Sequence, residues 1–125
     1  NIDLDKLKSV GISYRKAQYI KNVYEYFENT NFDFLSASNE NVILELTKIK
    51  GIGQWSSEMF LMFVLLRIDI FSKGDLALMN SIRLNYNIDK FDNYEIDTLI
   101  NSWSPYKTVA SLLLWKSIEE DYIYS

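Results

Sequence analysis

Apolar residues recur at helical spacing along most of the chain, and alternation of the kind a strand needs is not sustained anywhere. Ala17, Ile20, Val23, Tyr24 and Phe27 form one stripe, which predicts a helix from residue 14 to about 28. Ser13 is placed to cap it, and Lys16 and Lys21 fall off the stripe, on the solvated side. A shorter helix over 4–10 precedes it, capped by Asp3 and ended by Gly11. Asn29, Thr30 and Asn31 break the pattern, and Phe32, Phe34 and Leu35 are expected to anchor a short turn on the core. Ser38 opens a helix to about residue 48 that turns Val42, Ile43, Leu46 and Ile49 inward. The run from 54 to 66 is apolar nearly all round, the pattern of a helix at the centre of a domain.

The second half reads the same way. Residues 67–74 are a connection, and Asp75 caps a helix to about residue 85. Asn93 caps the next, to about 102, with Ile96, Leu99, Ile100 and Trp103 on one face. Ser104 followed by Pro105 is a start signal for the last helix, a capping serine before proline at the first helical position. That helix is expected to reach about residue 122 and to fray at Glu119, Glu120 and Asp121, whose charges oppose the helix dipole. The predicted class is all-α.

One interruption carries chemical meaning. Between two helical runs lie Gly51 and Gly53, with Ile52 between them. Glycine there permits positive φ and close approach of another backbone. The first N–H groups of the following helix have no intrahelical partner, and such a helix start suits a phosphate. The pattern is that of a helix-hairpin-helix gripping a nucleic-acid backbone, although a glycine turn also serves helix packing alone.

Composition narrows the chemistry. The chain has 125 residues, 48% of them hydrophobic, with no cysteine and no histidine. That excludes thiol nucleophiles, disulfides, thiolate or imidazole metal sites and a histidine base, and leaves carboxylates, lysine and tyrosine for acid–base work. A net charge of −4 argues against a broadly basic nucleic-acid binder, but Lys48, Lys50 and Lys73 are expected to give a local positive face. No apolar run reaches transmembrane length and no signal peptide is visible, so no membrane partner is expected.

The strings LKSVGISYRKAQYI, LTKIKGIGQWSSEMFLMF, RIDIFSKGDLAL and WSPYKTVASLLLW, in this order, resemble the helix-hairpin-helix DNA glycosylases of the HhH-GPD superfamily. The similarity is greatest to the branch of 3-methyladenine DNA glycosylase II. The resemblance implies a base-excision-repair enzyme that hydrolyses the N-glycosidic bond of alkylated bases in duplex DNA. It implies that Asp75 is catalytic, that Trp55, Met59 and Trp115 line the base pocket, and that Gly51, Gly53, Ser56 and Lys50 bind a DNA phosphate. The carbonyls of Thr47, Ile49 and Ile52 would hold sodium or potassium at the hairpin, with no cofactor required for the chemistry. Bifunctional relatives carry a Schiff-base lysine where this chain has Trp55, so the implied enzyme is monofunctional and leaves an abasic site uncut.

Lys107 stands where family members often have arginine, and Met59 where some have an aromatic residue. The family's domain begins several helices earlier. The resemblance therefore implies a C-terminal part, with the end of a first lobe and the hairpin over about 1–68 and a second lobe over about 69–125. An N-terminal part of the same protein, or self-association, would supply the remainder. The implied location is cytoplasmic, at the nucleoid of a bacterium or archaeon, or nuclear. Read without the family, the alternative is a helix-hairpin-helix module that only binds DNA, in which Asp75 is a helix cap and the tryptophans are core residues.

Overall fold

The computed structural model of the protein describes residues 3–87 and 93–124. Seven helices are present among them, and no strand: α1 (Leu4–Ser9), α2 (Tyr14–Asn29), α3 (Asn39–Leu46), α4 (Gln54–Phe63), α5 (Leu76–Tyr86), α6 (Asn93–Ser102) and α7 (Lys107–Tyr124). The contacts divide the chain into two compact units, 1–57 and 58–125.

In the first unit the caps are those the sequence predicts. Asp3 Oδ1 accepts from Asp5 N, Ser13 Oγ from Lys16 N, and Ser38 Oγ from Asn41 N, each satisfying a donor that the helix leaves orphaned. Gly11 ends α1 with φ +95°. The buried apolar positions are Ala17, Val42, Leu46 and Ile49. Tyr26 donates to Glu45 Oε1 at 2.6 Å and joins α2 to α3. Phe34 packs against Phe27 and Phe32, with ring centroids 5.5 and 4.8 Å away, which holds the turn after α2. Leu35 does not join it and is 81% exposed: two aromatic rings already seat the turn, and its side chain goes to water.

The α2 stripe is buried at Ala17 but open from Ile20 onward, where Ile20, Tyr24 and Phe27 are each about two-fifths exposed. α4 is shorter and less covered than its composition predicts. It ends at Phe63 because Leu66 takes φ +56° and Arg67 N turns back to Leu61 O. One face, Ser57, Glu58, Leu61 and Met62, is buried, whereas Phe63 and Val64 are more than half exposed.

The second unit has its core in Leu78, Ile82, Ile96, Ile100 and Leu114, against which Phe71, Trp103 and Trp115 pack. Fully buried serines allow close approach of its elements. Ser81 Oγ donates to Leu114 O across α5 and α7, and Ser111 Oγ donates to Lys107 O. Asp75 caps α5, and Asn87 in the left-handed conformation ends it. Asn93 lies inside α6 rather than capping it, and the residue before it is outside the described residues.

Ser104 and Pro105 do not open α7; they form a turn, and the helix starts at Lys107. The cap comes from the connection instead. Asp69 Oδ1 accepts from Lys107 N, and Ser104 Oγ donates to Asp69 Oδ2. A carboxylate fixed by two donors near a helix start suits the dipole better than the neutral serine would. The backbone of α7 stays helical through Tyr124.

Candidate active site and DNA-backbone interface

The hairpin belongs to the first unit. After α3 the chain tightens, with Lys48 N bonded to Glu45 O, Ile49 N to Leu46 O and Ile52 N to Ile49 O. The two glycines have different reasons to be there. Gly51 takes φ +101°, and a Cβ on it would lie 2.4 Å from the Tyr19 ring, so both backbone and neighbour require glycine. Gly53 has ordinary φ, and a Cβ on it would meet nothing within 4 Å. Its openness suits the approach of an outside group rather than internal packing. Gly53 O takes the first bonds of α4, from Ser57 N and Ser57 Oγ, so Gln54, Trp55 and Ser56 are the opening residues of the helix.

Lys50 is exposed at the turn, and its carbonyl accepts from Asn22 Nδ2, which ties the hairpin to α2. The expected positive face is weaker than a count of lysines implies. Lys48 pairs with Glu45 at 2.8 Å, and Lys73 pairs with Asp97, so two of the three charges are compensated. The Lys48 ammonium, then the Tyr26 hydroxyl, hold the Glu45 carboxyl below its usual value.

Among the described residues no cluster of three or more His, Cys, Asp or Glu side chains can hold a metal. Thr47 is the C-cap of α3, and Ile49 and Ile52 close the turn that follows, where Ile49 O keeps a second lone pair after accepting Ile52 N. Carbonyl oxygens are hard donors, the class of ligand that a hard cation takes.

Asp75 belongs to the second unit and is 9% exposed. Its Oδ1 accepts from Leu78 N at 2.9 Å, the capping bond, and from Trp115 Nε1 at 3.2 Å. Trp115 reaches it from α7, forty positions later, and stacks on Phe63 with centroids 6.1 Å apart and planes 28° from parallel. Two donors on one oxygen fix the orientation of the carboxylate. The preceding turn is fixed as well: Asp75 N donates to Ser72 O, and the buried Ser72 Oγ donates to Glu58 Oε1 at 2.7 Å.

Trp55 is on α4 and 49% exposed, and Met59 follows one turn later, half-buried. Trp103 is half-buried against Phe71 and Tyr86, as a core residue would be. Phe63, Glu58 and Ser72 escape a sequence reading. A charged residue inside an apolar helical run was the available signal for Glu58, since such a residue is kept only with a partner.

No family model matches the chain. The DNA-3-methyladenine glycosylase 1 of Schizosaccharomyces pombe is 32% identical over 123 residues, covering 94% of this chain and 54% of that protein. The crystal structure of the DNA-3-methyladenine glycosidase of Bacillus halodurans superimposes with a TM-score of 0.78 and 40% identity, over 94% of this chain and 56% of its own. This chain is similar to DNA-3-methyladenine glycosylases. The S. pombe 3-methyladenine DNA glycosylase solved in complex with abasic DNA agrees, with a TM-score of 0.81 and 30% identity over 94% of this chain and 59% of that one. The all-α architecture is that of a helix-hairpin-helix DNA glycosylase, in the part the chain spans. The chain spans about half the length of the curated relatives it matches.

Proposed function

We propose that this chain is the part of a DNA-3-methyladenine-type glycosylase that carries the phosphate-gripping hairpin and the catalytic carboxylate. The substrate is duplex DNA containing an alkylated base, the reaction is hydrolysis of its N-glycosidic bond, and the setting is wherever the genome lies, nucleoid or nucleus. The observation that carries the reading is Asp75, buried and oriented by an indole N–H, in a chain similar to such glycosylases over 94% of its length.

The chemistry follows from these groups. The target base leaves the stack, which costs less for a damaged base. As the glycosidic bond breaks, positive charge grows on the sugar, and the Asp75 carboxylate stabilises it in a site poor in water. Electron-rich indoles favour a cationic methylated purine by cation–π attraction, which suits the pocket role that the family resemblance gives Trp55, Met59 and Trp115. Gly51, Gly53, Ser56 and Lys50 hold the backbone and set register without reading sequence. Sodium or potassium on the Thr47, Ile49 and Ile52 carbonyls would add positive charge beside that phosphate. Trp55 has no amine for a Schiff base, so the abasic site is left uncut.

The test is to incubate the full-length protein with methylated duplex DNA. The expected products are free methylated base and abasic strands that break only on heating in alkali. Because the 125-residue chain spans about half of its relatives, it is expected to release little or no base by itself. Tight DNA binding by the full-length protein with no base release would instead favour a non-catalytic helix-hairpin-helix module.

A further inference from the structure

Glu58 stands on the buried face of α4 with Leu61 and Met62 and is 9% exposed. Its Oε1 accepts from the hydroxyl of Ser72, which is fully buried, at 2.7 Å. Among the described residues no lysine or arginine pairs with it. Taking a carboxylate out of water is costly, and two apolar side chains of matched shape would hold the fold as well or better. Stability is therefore a poor reason for this pair. What the bond supplies and an apolar contact does not is direction: it fixes the Ser72 hydroxyl, and with it the Ser72 backbone, in one place.

Ser72 opens the turn that ends at Asp75. Asp75 N donates to Ser72 O at 3.2 Å, and Lys73 and Gly74, between them, are exposed. A Cβ on Gly74 would meet nothing within 4 Å, so the apex of the turn is open. Lys73 pairs with Asp97 at the surface, where an ion pair restrains little. The turn is anchored at its buried end, by the Glu58 carboxylate.

We propose that Glu58 is a positioning residue for Asp75, acting through Ser72. The inference rests on the glycosylase reading and adds a residue to its machinery. Leu78 N and Trp115 Nε1 set the direction in which the Asp75 oxygen points. Glu58 sets where the backbone that carries Asp75 stands. In this role Glu58 touches neither sugar nor base. A misplacement of about 1 Å in a catalytic group can cost roughly a hundredfold in rate, so an anchor one turn away has kinetic weight.

The experiment uses the full-length protein and the double variant Glu58→Met, Ser72→Ala. It removes both partners of the bond and leaves neither one buried and unpaired. The expected result is thermal unfolding near that of the wild type, near-normal affinity for alkylated DNA, and single-turnover base release at least tenfold slower. The indole N–H resonance of Trp115, assigned by its loss in Trp115→Phe, is expected to shift, because the Asp75 oxygen it bonds has moved. A purely structural pair would move neither the rate nor this resonance. Should the double variant misfold, Ser72→Ala alone replaces it, with the same results required. Glu58→Gln keeps an acceptor of the same reach for Ser72 and is expected to retain most of the rate. A wild-type rate and an unmoved resonance in the folded double variant overturn the proposal. A Glu58→Gln rate as low as that of the double variant also overturns it, because the charge and not the anchor would then matter. Wild-type protein that releases no base fails the glycosylase reading and this role together, whereas wild-type release that the double variant leaves unchanged fails this role alone.

Discussion

The indole N–H of Trp115 donates to Oδ1 of Asp75 at 3.2 Å, and the same oxygen accepts the capping bond from Leu78 N. One carboxylate oxygen is thus held by the helix it opens and by a helix that begins more than thirty residues later. Capping alone needs only the first bond. The second makes the orientation of Asp75 depend on α7, so Trp115 positions the carboxylate as well as offering the aromatic wall proposed for the base.

Trp115→Phe separates these two roles. Phenylalanine keeps an aromatic ring to stack on Phe63 and removes the N–H donor. A hydrogen bond to a charged group contributes about 1.5–3 kcal/mol, so single-turnover base release by the full-length protein should fall roughly tenfold to a hundredfold. DNA affinity should change little. An unchanged rate in the folded variant would reduce Trp115 to packing.

The hairpin glycines should respond to substitution in opposite ways. Gly51→Ala puts a Cβ into the Tyr19 ring at a backbone angle that alanine rarely adopts, and should destabilise the first unit by about 1–3 kcal/mol. Gly53→Val meets no internal obstacle. It should unfold much like the wild type in urea but bind duplex DNA more weakly at fixed salt, equally for unrelated sequences. Stability loss at Gly53, or intact DNA affinity in a folded Gly53→Val variant, would count against the open-approach reading of that position.

Acid should loosen the start of α7. The Ser104 hydroxyl, aided by Lys107 N and the Lys107 charge, holds the Asp69 carboxyl below its usual value despite a smaller opposing effect of burial. A folded-state value below the unfolded one stabilises the fold above the unfolded value of about 3.9, and that contribution is lost as pH falls through the folded value. Asp69→Asn should therefore cost stability at neutral pH and flatten the acid limb of a plot of unfolding midpoint against pH. An acid limb identical to that of the wild type would show that Asp69 does not contribute.

The elements legible in the sequence are those whose signals are local. Asp3, Ser13, Ser38 and Asp75 all cap where their spacing places them, because a cap reaches only two or three residues. The start of α7 was not legible. Ser104 and Pro105 form a local start signal, but Asp69, more than thirty residues away, supplies the cap. The exposed part of α2 escaped for a different reason: hydrophobic spacing says which face seeks cover and not whether this chain covers it. The family resemblance singles out Asp75 and Trp115 separately, whereas the bond between them depends on how α5 packs on α7. Lys48 and Lys73 read as free charge, yet Glu45 and Asp97 compensate them.

The most direct test of the account is Asp75→Asn in the full-length protein, measured as single-turnover release of methylated base with enzyme in excess. Asparagine caps a helix about as well as aspartate, and its Oδ1 can still accept from Leu78 N and Trp115 Nε1. The substitution removes the negative charge and little else. The expected result is a folded protein that binds alkylated DNA with near-normal affinity and releases the base more slowly by a factor on the order of a hundred or more. Release at the wild-type rate would contradict it, leaving Asp75 as a helix cap and the chain as a DNA-binding module.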